Sequence, residues 1–256
     1  AGGGRKRHGT TADAAVERLV GELMSRSAYA QRVAEDAVTH RDRIEYVAKW
    51  VALAQLADMR DAVVLCDWLE EGLAPLSDEV QVLRCVAGWP ERRADTLREA
   101  VSHHKSLTGM HQDMLNVLAA LRGEARVLEV YLARAGPLLH RAAHRLNELS
   151  QTREADERRY RDLRIPFDWA AFQTLKVTMS ELAGVVLTRA VAELEGDLCA
   201  ANGRASEQPA VVSLVDFLYR AYQFAGGFHP QIITEFERFE SMVAEVDAKA
   251  DVSAVP

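Results

Sequence analysis

Cysteine, proline and glycine are all scarce in this sequence, and so is any alternation of apolar with polar residues. Three cysteines (Cys66, Cys85 and Cys199) are odd in number, far apart and set in apolar contexts such as "VVLCDWL". That pattern excludes a disulfide framework or a zinc knuckle and predicts reduced, buried thiols. Only seven prolines and fifteen glycines punctuate 256 residues, and four of the glycines fall within the first nine. No Asn-Gly hairpin or strand-like alternation of useful length occurs. No run reaches the roughly 18 apolar residues of a membrane span, and no charged-then-apolar leader opens the chain. A net charge of −7 lacks the basic excess that displaces counterions from phosphate, which excludes a general nucleic-acid binder. Together these absences predict a soluble chain in a reducing compartment, with no direct membrane insertion and no nucleic acid.

Catalytic constellations are missing as well. His140 and His144 lie four apart on one helix face, but the glutamate of an H-E-x-x-H motif is absent, and His103, His104 and His111 have no completing carboxylate spacing. "FAGGF" lacks the lysine and serine or threonine of a phosphate loop and reads instead as a helix cap at Gly226 and Gly227. No serine elbow or cysteine-histidine pairing is visible. The sequence therefore predicts no catalytic residue, no metal, no cofactor and no enzymatic activity.

What is present is helical composition, dominated by Ala, Leu, Glu and Arg. Apolar residues recur every three and four positions, as in Val16, Leu19, Val20 and Leu23, then Ile44, Val47 and Val51, then Leu65, Trp68, Leu69, Leu73 and Leu76. A short helix restarts at "SDEVQVL" with Ser77 as its cap, and Gly88-Trp89-Pro90 ends it. Further helices are expected from about Glu91 to Thr108, through Met110 to Leu121, and from Gly123 to Arg164 with a kink or break at Gly136-Pro137. Within the last, Ala135, Leu139, Ala142, Leu146 and Leu149 step as a short coiled-coil seam or an ordinary helix face. Helices over roughly 170 to 200, Val211 to Ala225 and Pro230 to about Ala248 complete an all-α chain, with "GRASEQPA" as a loop. Residues 1–10 read as a disordered arm or expression remnant, 11–250 as a single helical domain, and 251–256 as a flexible tail.

Four stretches then point one way: "CDWLEEGLAPLSDEVQVL", "WPERRADTLREA", "TREADERRYRDLRIPFDW" and "FLYRAYQFAGGF". In that order and spacing the chain resembles the carboxy-terminal domain of the plant chloroplast unusual positioning protein family, over about residues 25 to 240. Val80 and His229 depart from the family's usual arginine and carboxylate and mark a divergent member or paralogue. The resemblance implies an elongated, multi-helix, formin homology 2-like fold that forms a homodimer. It implies an actin-binding module that nucleates filaments in chloroplast photorelocation and anchoring. In the full-length protein the module would face the cytosol at the chloroplast outer envelope, with profilin bound by a proline-rich region outside these residues. The alternative is a microtubule-associated module, as in a paralogous branch.

For such a partner the sequence offers Arg92, Arg93, Arg98 and Lys105 on one predicted helix, and Arg153, Arg158, Arg159, Arg161 and Arg164 on another. We take Arg92, Arg93, Arg158, Arg161 and Phe228 as actin-contact candidates. The competing account pairs the second group with Glu154, Asp156, Glu157 and Asp162 on a solvated face. Trp89, Ile165, Phe167 and Trp169 are the packing or dimer candidates. Pro166 pushes Ile165 out of helical geometry, Phe167 and Trp169 turn inward, and Asp168 is placed to cap the next helix.

Overall fold

A computed structural model of the chain describes residues 11–123, 128–197 and 205–253. The arm at 1–10, Cys199 and residues 254–256 of the expected tail lie outside them. Among the described residues there are nine α-helices and one 3-10 turn, at Ala205–Glu207, and no strand. The helices are α1 (Thr11–Thr39), α2 (Arg41–Leu53), α3 (Met59–Leu73), α4 (Glu79–Arg84), α5 (Glu91–Gly123), α6 (Leu128–Asp162), α7 (Ala170–Asp197), α8 (Pro209–Ala225) and α9 (Pro230–Ser253). The chain groups into two compact units, Ala1–Glu99 with Leu163–Ile165, and Ala100–Asp162 with Pro166–Pro256.

In the first unit α2 packs on α3, and α1 packs on α2 and α4. Ile44, Val47 and Val51 form the inner stripe of α2 and meet Leu69 and Leu73 of α3, with Val33, Val82, Leu83 and Ala94 closing the core. At Gly72, α3 lies close against α2: a Cβ there would stand 2.9 Å from Cγ2 of Val47. Asp58 caps α3 by accepting the N–H groups of Arg60 and Asp61. The cap of α4 is Asp78, not Ser77 as the sequence suggested. The N–H of Ser77 is turned to the Asp36 carboxylate at 2.8 Å, while Asp78 accepts the N–H of Gln81 and the hydroxyl of Tyr29. Cys66 is buried as expected, but Cys85 at the end of α4 is exposed and its thiol donates to the Gln81 carbonyl at 3.3 Å.

The second unit is built around α7, which packs against α6, α8 and α9. Because neighbours meet it on several sides, its buried residues run almost all round it: Leu175, Met179, Leu182, Ala183, Val186, Leu187 and Ala190. Where two helices were expected, α5 is continuous. An internal glycine costs a helix about 1 kcal/mol relative to alanine, but Leu107, Met110, Met114, Leu118 and Leu121 are buried on both sides of Gly109 and override it. Likewise α6 runs unbroken through Gly136-Pro137. Its heptad-like stripe, Ala135, Leu139, Ala142, Leu146 and Leu149, is an ordinary helix face buried in this unit's core.

Candidate functional site

The basic residues singled out by the sequence fall into different physical situations. Arg92, in the first turn of α5, is exposed. Arg93 beside it is half-buried, and its guanidinium donates to the carbonyls of Ala52 at 2.5 Å and Ala54 at 2.6 Å, at the carboxy-terminal end of α2. There it satisfies acceptors that a helix end leaves open. Burial, and then the like charge of Arg164, hold its pKa below the usual arginine value. Arg98 is likewise engaged, with Glu70 at 2.6 Å and Glu79 at 2.7 Å. Arg93 and Arg98 therefore hold the first unit together.

Near the end of α6 the arginines follow helical arithmetic. Arg158 and Arg161 each reach back one turn, to Glu154 and Glu157, at 3.4 Å in both cases, and each side chain is 71% exposed. Arg159 contacts Asp156 at 2.6 Å, and that carboxylate is buried. Arg153 does something different: its guanidinium lies 5.3 Å from the ring centre of Trp169 and 5.9 Å from that of Phe172. The same-helix pairing anticipated as the competing account thus holds for Arg158 and Arg161, on a solvated surface.

The turn after α6 is a packed corner. Arg164 adopts φ 55°, the left-handed conformation that ends helices, although it is not glycine. Proline then follows, and Ile165 is 4% exposed. Phe167 packs, tilted, at 4.7 Å from Trp169 and 5.3 Å from Tyr160, and Trp169 meets Phe172 at 5.5 Å. Beneath them the Tyr160 hydroxyl lies 3.1 Å from Nδ1 of His103. Asp168 accepts the N–H of Ala170 at 2.8 Å, which is where α7 begins, one residue later than its cap position implied. Trp89 is half-buried against the first unit's core. Trp89, Ile165, Phe167 and Trp169 all serve packing within the chain.

Phe228 is half-buried, edge-on to Tyr222 at 5.3 Å, after a turn in which Gly226 and Gly227 take φ of 78° and 125°. Both glycine N–H groups are received by the Tyr222 carbonyl at 3.0 Å. Two features of the second unit were not anticipated. Val212, Val215, Tyr219 and Tyr222 are exposed and form one stripe along α8. An open groove of about 1110 Å³ lies between α6 and α8, with the first turns of α7 at one end. The small residues Gly136, Ala143, Ala210 and Ser213 on its walls were its only sequence signal.

Among the described residues no helix is long and apolar enough to cross a membrane, and no three metal-ligating side chains come together. Over 214 residues the chain is 24% identical to the Arabidopsis thaliana protein named "Uncharacterized protein At4g04980", a match that covers 80% of this chain and 29% of that protein. The chain thus spans less than a third of the curated relative's length. The profile described as "IPGAL1-like, C-terminal domain" matches residues 97–256, more than half of the sequence and the whole of α6 to α9. By that match the chain belongs to the IPGAL1-like C-terminal domain family.

Proposed function

We propose that this chain is a non-catalytic helical interaction module that binds actin and supports filament assembly, the role implied by its resemblance to the chloroplast unusual positioning family. One observation carries the reading: the end of α6, fixed by the aromatic corner, presents Arg158 and Arg161 with 71% of each side chain in solvent. Exposed pairs one helical turn apart contribute only about 0.3–0.5 kcal/mol, so either arginine exchanges its own glutamate for a carboxylate on actin's acidic surface at little cost. Arg92, in the first unit, is a separate exposed contact candidate on α5, and Arg93 leaves the contact set because its guanidinium secures α2. The stripe on α8 steps three, four and three residues, the spacing of a two-helix seam, and supports a homodimer formed through that face. In the full-length protein the module faces the cytosol at the chloroplast outer envelope, with profilin engaged by a proline-rich region elsewhere in the chain.

Co-sedimentation with actin filaments and, separately, with microtubules tests this. The chain should pellet with actin, less so as salt rises, because exposed charges are screened over roughly 8–10 Å at physiological ionic strength. Reversing Arg92, Arg158 and Arg161 should abolish pelleting and leave helicity unchanged. Pelleting with microtubules but not with actin would replace this reading by the microtubule one. A folded triple variant that pellets with actin like the wild type would end it.

A further inference from the structure

The groove of the second unit calls for an occupant independently of any cytoskeletal role. It follows α6 from Glu129 to Arg153, 24 residues apart, or about 36 Å at the helical rise of ~1.5 Å per residue. Small-molecule sites are compact clefts of roughly 300–1,000 Å³, which this trough exceeds in length above all. Its floor is apolar, with Leu139, Leu146, Phe172 and Phe217. Because α6 and α8 are themselves packed together, an occupant would lie along the outside of their seam, where the small residues on the walls keep the groove open. No strand edge among the described residues lines it, so an extended peptide would find no backbone ladder to join.

Charge gives the groove a direction. Arg153 and Lys176 both line the end near α7, and neither has a carboxylate partner among the described residues. Arg153 is held over two aromatic rings, and Lys176 is half-buried. Farther along, Asp216 and Arg220 satisfy each other at 3.0 Å, and Glu129 stands at the opposite end. An apolar trough with two uncompensated cations at one end matches a helix with an apolar stripe and carboxylates at the end that covers them.

We propose that this groove receives an amphipathic α-helix of a partner protein, with apolar residues at every third and fourth position on the floor and carboxylates over Arg153 and Lys176. The test pans a phage-displayed library of helix-biased peptides, each about 20 residues long to match the trough, against the chain, and measures the enriched peptides by fluorescence anisotropy. Two variants accompany it, their folding checked by circular dichroism. Ser213→Trp fills the trough from an exposed position on α8, and Arg153→Glu with Lys176→Glu reverses its charged end. Enriched peptides should share the apolar spacing and carry Asp or Glu toward one end. Each variant should weaken their binding by about tenfold or more, equivalent to ~1.4 kcal/mol, and the charge variant should prefer the same peptides with Lys in place of Glu. The proposal is overturned if no such peptides are enriched, if they bind Ser213→Trp as well as the wild type, or if Lys-substituted peptides bind the wild type equally. It is also overturned if Ser213→Trp halves the mass seen by light scattering, because the occupant is then a second copy of this chain.

Discussion

Arg93→Ala separates a structural arginine from its exposed neighbours. The guanidinium donates to two carbonyls at the end of α2, at 2.5 and 2.6 Å. Hydrogen bonds from a charged donor contribute roughly 1.5–3 kcal/mol each. Half-burial favours the lower figure, or about 3 kcal/mol for the pair. Against this, Arg93 is the third residue of α5, where a cation opposes the helix dipole at a cost of about 0.3–1 kcal/mol that alanine removes. The net expected loss is about 2 kcal/mol. For a unit of this size each kcal/mol moves the midpoint by about 4–8 °C, so melting should fall by about 8–16 °C. Arg158→Ala and Arg161→Ala, which remove exposed pairs within α6, should each change stability by no more than about 0.5 kcal/mol. Differential scanning calorimetry of the three variants reads all of this. Should Arg93→Ala melt with the wild type, the two carbonyl contacts carry no weight, and Arg93 returns to the surface set.

Gly72→Ala should destabilise the first unit by about 1–3 kcal/mol, because the new Cβ would press on the stiff Val47 side chain at 2.9 Å; urea titration would show a lowered midpoint, and an unchanged one would mean that α2 and α3 yield freely. Arg164→Gly should raise stability by about 1 kcal/mol by relieving the left-handed conformation at φ 55°, read as an increase in melting temperature. Tyr160→Phe should cost about 1 kcal/mol through the lost contact with His103, measured by the same denaturation. Acid should weaken the first unit: hydrogen bonds from Ser77 to Asp36, from Arg60 to Asp58 and from Tyr29 to Asp78 depress all three carboxyl pKa values. Their contribution is complete above the ordinary carboxylate value of about 3.9 and is lost as pH falls through the lower folded values. Melting followed from pH 5 to pH 2 should therefore drop less steeply in Asp36→Asn than in the wild type.

How much of this was legible in the sequence depended on the range of the interaction. Periodicity of three and four fixed the helices, since an amphipathic stripe needs only the chain's own spacing. The pairs Arg158 with Glu154 and Arg161 with Glu157 could be counted off in the same way. Proline after Ile165, and the glycines at 226 and 227, announced their turns because their backbone preferences are local. Tertiary structure decided what local preference left open. Gly109 and Pro137 signal breaks by propensity, but apolar residues buried on both sides carry α5 and α6 through them. Asp78, not Ser77, caps α4: its carboxylate accepts the Gln81 N–H, while Ser77 is held by Asp36, 41 residues earlier. Arg92 and Arg93 are indistinguishable as letters; only the end of α2, brought alongside α5 by packing, gives one of them two carbonyls and leaves the other in water. The groove between α6 and α8 is likewise a consequence of how those helices pack, written in the sequence only as small residues spread over two separate helices.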